Sequence, residues 1–317
     1  MRKFTIGSRG SQLALWQTGF TKTALEDHFP LTEFEVRIIK TKGDAVLDTA
    51  LSKIGDKGLF TKEIETALIN KEIDLAVHSL KDLPTMQPEG LKIGAVSKRE
   101  TPNDIFISKN YSSIEELPKG AKVATGSLRR KSQLLHFRPD LEIVEIRGNV
   151  PTRIEKLLAS DLDGMILAYA GVHRLGLDEH IKQIIPTEIL LPAVGQGVMA
   201  VEIRQDDEEI LTMLNTINDD STNACITAER AFLRRLEGGC QVPIGAYAVL
   251  ENDELFLQGF VGNLDGAKVI RKSIQGEKGL AEDLGIALAE RCLSAGAAQI
   301  LEEARLETDN TLGEVFF

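Results

Sequence analysis

The chain has 317 residues, 43% apolar and 27% charged, a composition that argues against a disordered, collagen-like or fibrous chain and has room for two domains or three small ones. Its 37 basic and 48 acidic residues leave a net charge of −11, which argues against a basic face for nucleic acid. An anionic ligand would have to meet a few placed Arg and Lys in a locally positive cleft. Uncharged runs fall short of the ~18 residues of a membrane span, and MRKFTIGSRG has no apolar stretch before Arg9, so a cytoplasmic location with no membrane partner is expected. Three cysteines without a CxxC pair argue against a disulfide framework or zinc site, and no metal is expected.

In chain order, strand-type runs alternate with helical ones: Phe4–Gly7, Ser11–Leu25, Phe34–Lys40, Lys62–Asn70 and Ile73–His78. The alternation resumes from Lys122 to Gly176 and predicts an α/β fold with a largely parallel sheet. Between them Lys42–Phe60 is weakly periodic and rich in Gly, Lys and Asp. It is expected to be a long loop, either a lid over a ligand or a solvated surface segment. Three breaks stand out: the polar Ser97–Asp104, then Leu191–Gly197, then Asn218–Thr222. After the third, a helix (Asn223–Glu237) precedes strands at Ile244–Leu250, Leu255–Val261 and Lys268–Gln275, and helices close the chain. That order predicts a small α+β domain.

Three segments share one layout, a strand, a small-residue turn and a helix whose first turn carries Arg. The first has Arg9 in the turn and an apolar stripe at Leu13, Trp16, Phe20 and Ala24. The second has Ser127 as N-cap with Arg129 and Arg130 just inside; the third has Asn149 as N-cap, Pro151 in the first turn, Arg147 and Arg153 around it, and a stripe at Val150, Ile154, Leu157 and Leu158. Helix N-termini attract anions, and Arg placed there runs against the dipole unless an anion joins it. One such Arg is ordinary solvated surface; three point to a site for several carboxylates or phosphates at the strand carboxyl edge. DLAVHSLKDLP puts His78, Ser79, Lys81 and Asp82 at the same edge. Asp82 is either a turn residue before Pro84 or an acid, base or fixed charge facing a developing cation; His78 reads as structural.

Cys225 and Cys292 lie on apolar helical stripes and read as core. Cys240, in GGCQVPIG, sits on a loop between Gly238-Gly239 and Pro243. Its thiol is either accessible as a nucleophile or attachment point, or inert. Gly195-Gln196-Gly197-Val198-Met199-Ala200 matches a dinucleotide fingerprint, but the VMAVEI that follows reads as a strand, which argues against that site.

Together IGSRGSQLALWQ, residues 42–69, AVHSLKDLP, TGSLRRKSQ, IRGNVPTR, AYAGVHRLGL, LPAVGQG and GGCQVPIGA resemble the porphobilinogen deaminase (hydroxymethylbilane synthase) family, in the family's order. The resemblance implies two periplasmic-binding-protein type II-like α/β domains joined by a double crossover, plus a small C-terminal α+β domain. Their expected bounds are 1–98 with 198–217, then 99–197, then 218–317. It implies a transferase that joins four porphobilinogen units, with release of ammonia, into hydroxymethylbilane in the cleft between the first two domains. The implied cofactor is dipyrromethane, held by a thioether to Cys240.

By motif match the cofactor would be held by Lys81, Asp82, Ser79, Thr125, Ser127, Arg129, Arg130, Arg147 and Gly148, and substrate by Arg9, Ser11, Gln17, Arg147, Arg153, Arg174 and Gln196. Asp82 would be the catalytic carboxylate, and Lys53, Lys57 and Phe60 would belong to a flexible loop over the cleft. Ser8 stands where many members have Thr, and Gly10 adds freedom beside Arg9. The resemblance further implies a monomer, with uroporphyrinogen III synthase as a candidate downstream partner. Two other readings compete: a non-catalytic two-lobed anion-binding protein, which leaves the Cys240 loop unexplained, and a phosphate-using enzyme, which lacks a phosphate loop.

Overall fold

The computed structural model describes residues 2–45, 60–237 and 242–313. Cys240, Lys53 and Lys57 therefore lie outside the described residues. The chain divides into two compact units, the first comprising residues 1–47, 56–100 and 195–223. Here β1 (Arg2–Ser8), α1 (Gln12–His28), β2 (Thr32–Ile38), α2 (Lys42–Ala45), α3 (Lys62–Ile69), β3 (Leu75–Ser79) and β4 (Leu91–Val96) follow one another.

The chain then passes into the second unit, which includes residues 101–194 and 224–317. There it forms β5 (Asp104–Ile107), β6 (Lys122–Ala124), α4 (Leu128–Phe137), β7 (Glu142–Val144), α5 (Val150–Ala159), β8 (Gly164–Ala168), α6 (Tyr169–His173) and β9 (Ile181–Ile184). It returns to the first unit as β10 (Met199–Arg204) and α7 (Glu208–Leu214), and leaves again through α8 (Asp220–Arg235). A three-stranded antiparallel sheet follows, β11 (Ile244–Glu251), β12 (Glu254–Gly262) and β13 (Val269–Glu277), covered by α9 (Ala281–Ser294) and α10 (Ala297–Gly313).

The two large sheets repeat one topology, β2-β1-β3-β10-β4 and β7-β6-β8-β5-β9. In each, three parallel strands carry the core, and the fourth position is an antiparallel strand that enters after the chain has crossed from the other sheet. This is the double crossover that the resemblance implies. The central strands β3 and β8 are buried along nearly their whole length, as strands covered on both faces must be. The caps also form as expected. Ser127 Oγ accepts from the Arg130 N–H, and Asn149 Oδ1 from the Thr152 N–H, with Pro151 in the first turn. Of VMAVEI, Met199–Ile203 lie in the strand β10 rather than a helix, so the Gly195–Ala200 match has no dinucleotide geometry.

Two expectations need correction. The α1 stripe of Leu13, Trp16, Phe20 and Ala24 does not face the core: Trp16 is 38% and Phe20 53% exposed, and their rings stack on each other. The buried face is Ala14, Gln17, Thr18, Thr21 and Leu25. Its polar members are paired: Thr18 Oγ1 donates to Ser8 Oγ at 2.8 Å, Gln17 Nε2 to Ser79 Oγ at 2.9 Å and Thr21 Oγ1 to the Gln17 carbonyl at 3.1 Å. A polar group can be buried when its hydrogen bonds are made. The second concerns Lys42–Ala45, expected as loop, which forms a single helical turn; its leading N–H, on Lys42, donates to Glu63 Oε1.

His78, expected to be structural, lies on β3. It is buried with Nε2 3.3 Å from the fully buried Glu202. Glu65 of α3 is also buried. Desolvation pushes its carboxyl above the usual range, Glu202 adds to that, and Thr61 and His78 oppose it. A raised acid holds its proton more tightly in the folded chain. Its contribution to stability is present below the ordinary value of 4.5 and is lost as pH rises through the folded value. Glu65→Gln, which stays neutral, is therefore expected to gain melting temperature over the parent at about pH 7 but not at about pH 4. Thermal melts at the two pH values check the sign; an equal shift at both would remove the ionisation account.

Candidate active site

Register brings the predicted residues to one edge of each large sheet. In the first unit, Ser8 ends β1, Ser79 ends β3, and Met199, paired with Ser79, begins β10. The turns that leave this edge carry Arg9, Lys81, Asp82 and Gln196. Ser11 caps α1 by accepting from the Ala14 N–H. Gln17, one turn further along, exchanges hydrogen bonds with Ser79 at 2.9 and 3.2 Å. The Arg9 guanidinium lies 4.1 Å from the centre of the Phe60 ring. That contact orients the cation without neutralising it.

Asp82 ends a 3-10 turn, Leu80–Asp82, and its side chain is exposed. The turn is anchored from below. Leu80 is buried, its N–H donates to the Val198 carbonyl at 2.9 Å, and the Leu83 N–H donates to the Leu80 carbonyl at 3.1 Å. Gly195 has φ +71°, and a Cβ there would stand 2.8 Å from Leu80 Cγ. Only glycine satisfies both the left-handed backbone and the close approach. The 195–198 turn thus supports the carboxylate turn, and Gln196 is buried within it.

In the second unit, β6, β7 and β8 end at Ala124, Val144 and Ala168, and Asp104 begins β5 opposite Ala168. Thr125 Oγ1 accepts from the Ser127 N–H at 3.2 Å, shaping the turn into α4. Arg129 and Arg130 follow and are only 5% and 7% exposed. Each reaches Asp104: Arg129 Nη2 stands 2.7 Å from Oδ2, and Arg130 Nη2 donates to Oδ1 at 2.7 Å. Burial pushes the Arg129 guanidinium below its ordinary value, Asp104 raises it and Arg130 lowers it again.

Arg147 is half-buried, lowered by desolvation with Glu145 opposing. Gly148 follows at φ +119°. Its carbonyl accepts from Arg153 Nε at 2.7 Å. Arg174 is buried at the end of α6. The sequence reading missed Asp104, which it assigned to a polar linker. The apolar Ile105-Phe106-Ile107 run marks the strand that Asp104 begins, but nothing local marks the partners of the acid. His173, by contrast, is half-exposed on Asp178 and outside this arrangement.

Each large sheet thus has an edge with arginine beside a capped helix N-terminus, an arrangement that attracts anions. Comparison with known proteins narrows the class. The family profile described as porphobilinogen deaminase, dipyromethane cofactor binding domain, matches residues 4–212, and that of the porphobilinogen deaminase C-terminal domain matches residues 223–294. The porphobilinogen deaminase of Desulforamulus reducens is 54% identical over 96% of this chain and 98% of its own. That of Carboxydothermus hydrogenoformans is 53% identical over 97% of this chain and 99% of its own. Among solved structures, an ABC-transporter periplasmic substrate-binding protein from Coxiella burnetii aligns with TM-score 0.44 at 14% identity, over 68% of this chain and 92% of that one. The methionine-binding protein MetQ aligns with TM-score 0.41 at 12% identity, over 69% and 91%.

The chain belongs to the porphobilinogen deaminase family. It is a transferase of tetrapyrrole biosynthesis that joins porphobilinogen units into hydroxymethylbilane and carries a dipyrromethane cofactor. Among the described residues no single helix is long and apolar enough to cross a membrane.

Proposed function

We propose that Asp82 is the catalytic carboxylate, that Cys240 carries the cofactor through a thioether, and that the arginines at the two edges grip the acetate and propionate groups. The observation that carries this reading is the buried group at Asp104. Two guanidiniums there share one carboxylate, so a unit of positive charge stands ready for an anion. That charge, with the α4 N-terminus beside it, fits a carboxylated dipyrrole. Lys81, Ser79, Thr125, Ser127, Arg147 and Gly148 would complete the cofactor's hold. Arg9, Ser11, Gln17, Arg147, Arg153, Arg174 and Gln196 would serve incoming substrate, with Phe60 holding Arg9. Lys53 and Lys57 would act from the loop over the ligand.

When bound, the dipyrromethane supplies the free pyrrole carbon to which the first substrate unit is joined. Asp82 works on the nitrogen side of the rings. Ionised, it accepts hydrogen bonds from pyrrole N–H groups. The same carboxylate would oppose the positive charge that develops as ammonia leaves and would accept the proton released from the pyrrole carbon that forms the new bond. The edge arginines would pair with the side-chain carboxylates, which fixes the position of each ring.

Arg147→Ala gives a direct test. A desolvated guanidinium that loses its charged hydrogen bonds to ligand costs about 1.5–3 kcal/mol, or roughly 10- to 100-fold in kcat/KM. The measurement is ammonia release from porphobilinogen. An unchanged kcat/KM would remove Arg147 from the ligand's path.

The division into 1–98 with 198–217, 99–197 and 218–317 is the domain reading we adopt, since each part has its own sheet. The resemblance also supports a cytoplasmic monomer whose product passes to uroporphyrinogen III synthase.

A further inference from the structure

Asp104 is fully buried at the start of β5, the antiparallel strand between β8 and β9. Its Oδ1 accepts from both Nε and Nη2 of Arg130, at 3.1 and 2.7 Å. Its Oδ2 stands 2.7 Å from Nη2 of Arg129. The far side of each guanidinium is held by backbone: Arg129 Nη1 donates to the Leu191 carbonyl at 2.6 Å, and Arg130 Nη1 to the Ile166 carbonyl at 3.2 Å. Gln133, one turn along α4, fixes Leu191 in both directions, Nε2 to its carbonyl at 3.1 Å and Oε1 from its N–H at 2.8 Å. The frame around the two cations is therefore rigid.

The three buried side chains carry two positive charges and one negative. Two adjacent guanidiniums repel, and one carboxylate both bridges them and leaves a single positive charge over. We propose that Asp104 is a positioning residue for the known reaction, holding Arg129 and Arg130 in fixed planes with a joint charge of one, so that the pair receives one carboxylate of the pyrrole chain. This rests on the assignment of the two arginines to ligand carboxylates.

The test uses the purified holoenzyme, with the cofactor-bearing fraction counted by intact mass, so that kinetics refer to loaded molecules only. Asp104→Glu keeps the charge and moves the carboxylate by one methylene. It is expected to lower kcat/KM for porphobilinogen per loaded molecule roughly 10- to 100-fold, the order that misplaced groups cost. Asp104→Asn is expected to lose at least as much; should it fail to fold, the Glu variant decides. A soluble Asp104→Glu protein without cofactor supports the proposal if it melts with the cofactor-free Cys240→Ser protein, and overturns it if it melts well below. Wild-type kcat and KM per loaded molecule, with only a lower melting temperature, would make Asp104 a structural counter-ion and overturn the proposal. Arg129→Lys and Arg130→Lys separate the two levels. If both keep wild-type kcat/KM, the arginine assignment fails; if both lose it while Asp104→Glu does not, only the role of Asp104 fails.

Discussion

Asp82→Asn is expected to lower kcat by about 10²–10³-fold while the covalent cofactor stays in place. The amide has the shape of the carboxylate and still offers an oxygen to a pyrrole N–H. It cannot oppose the positive charge that develops when ammonia leaves, and it cannot take the proton from the pyrrole carbon that forms the new bond. Both losses fall on the chemical step, so kcat drops more than KM rises. The backbone that holds the side chain is independent of the substitution. The turn is fixed by the Leu80 N–H on the Val198 carbonyl and by the buried Leu80 side chain against Gly195. A folded variant with intact cofactor mass and slow ammonia release is the expected result. Wild-type turnover in that variant would sink the role given to the carboxylate.

The features legible in the sequence were those with a local cause. Ser127 and Asn149 cap their helices because a short polar side chain ahead of a helix satisfies an N–H nothing else reaches. The run Val198–Ile203 reads as a strand because apolar residues follow one another with no helical period, and it pairs on both sides, with β3 and β4. The unread features had distant causes. The inward face of α1 is polar because Ser8 and Ser79, on two separate strands, supply partners for Thr18 and Gln17, and periodicity cannot see a partner 62 residues away.

Asp104 was hidden for the same reason. In sequence it closes a polar stretch, SKRETPND, whose Pro102 and charges suggest a linker. In the fold its partners come from α4, 25 and 26 residues on, and the three charges are buried together. The arginines on the turns stood out as candidates, since cations at helix N-termini need a reason. The acid that organises two of them was not, since its reason lies across the sheet.

Cys240→Ser is expected to abolish the covalent cofactor and with it all turnover. A hydroxyl is a far weaker nucleophile than a thiolate at neutral pH, so the primer has no attachment. The other two cysteines cannot replace it. Cys225 and Cys292 are buried in the core of α8, α9 and the three-stranded sheet. Burial also pushes the Cys292 thiol up to about 11, away from its reactive form.

Position matters as much as reactivity, because the chain leaving Cys240 is pinned within a few residues. The Ala246 N–H donates to the Pro192 carbonyl at 3.1 Å, and a Cβ on Gly245 would stand 3.0 Å from the Leu191 and Pro192 carbonyl oxygens and 3.4 Å from Arg129 Cδ. Gly245 and Ala246 are thus docked beside the same Leu191 that Arg129 and Gln133 hold. Intact mass decides the point. Wild-type protein should exceed its sequence mass by two linked pyrrole units. Cys240→Ser should match its own sequence mass before and after incubation with porphobilinogen. Retention of the added mass in the variant would place the attachment on another residue.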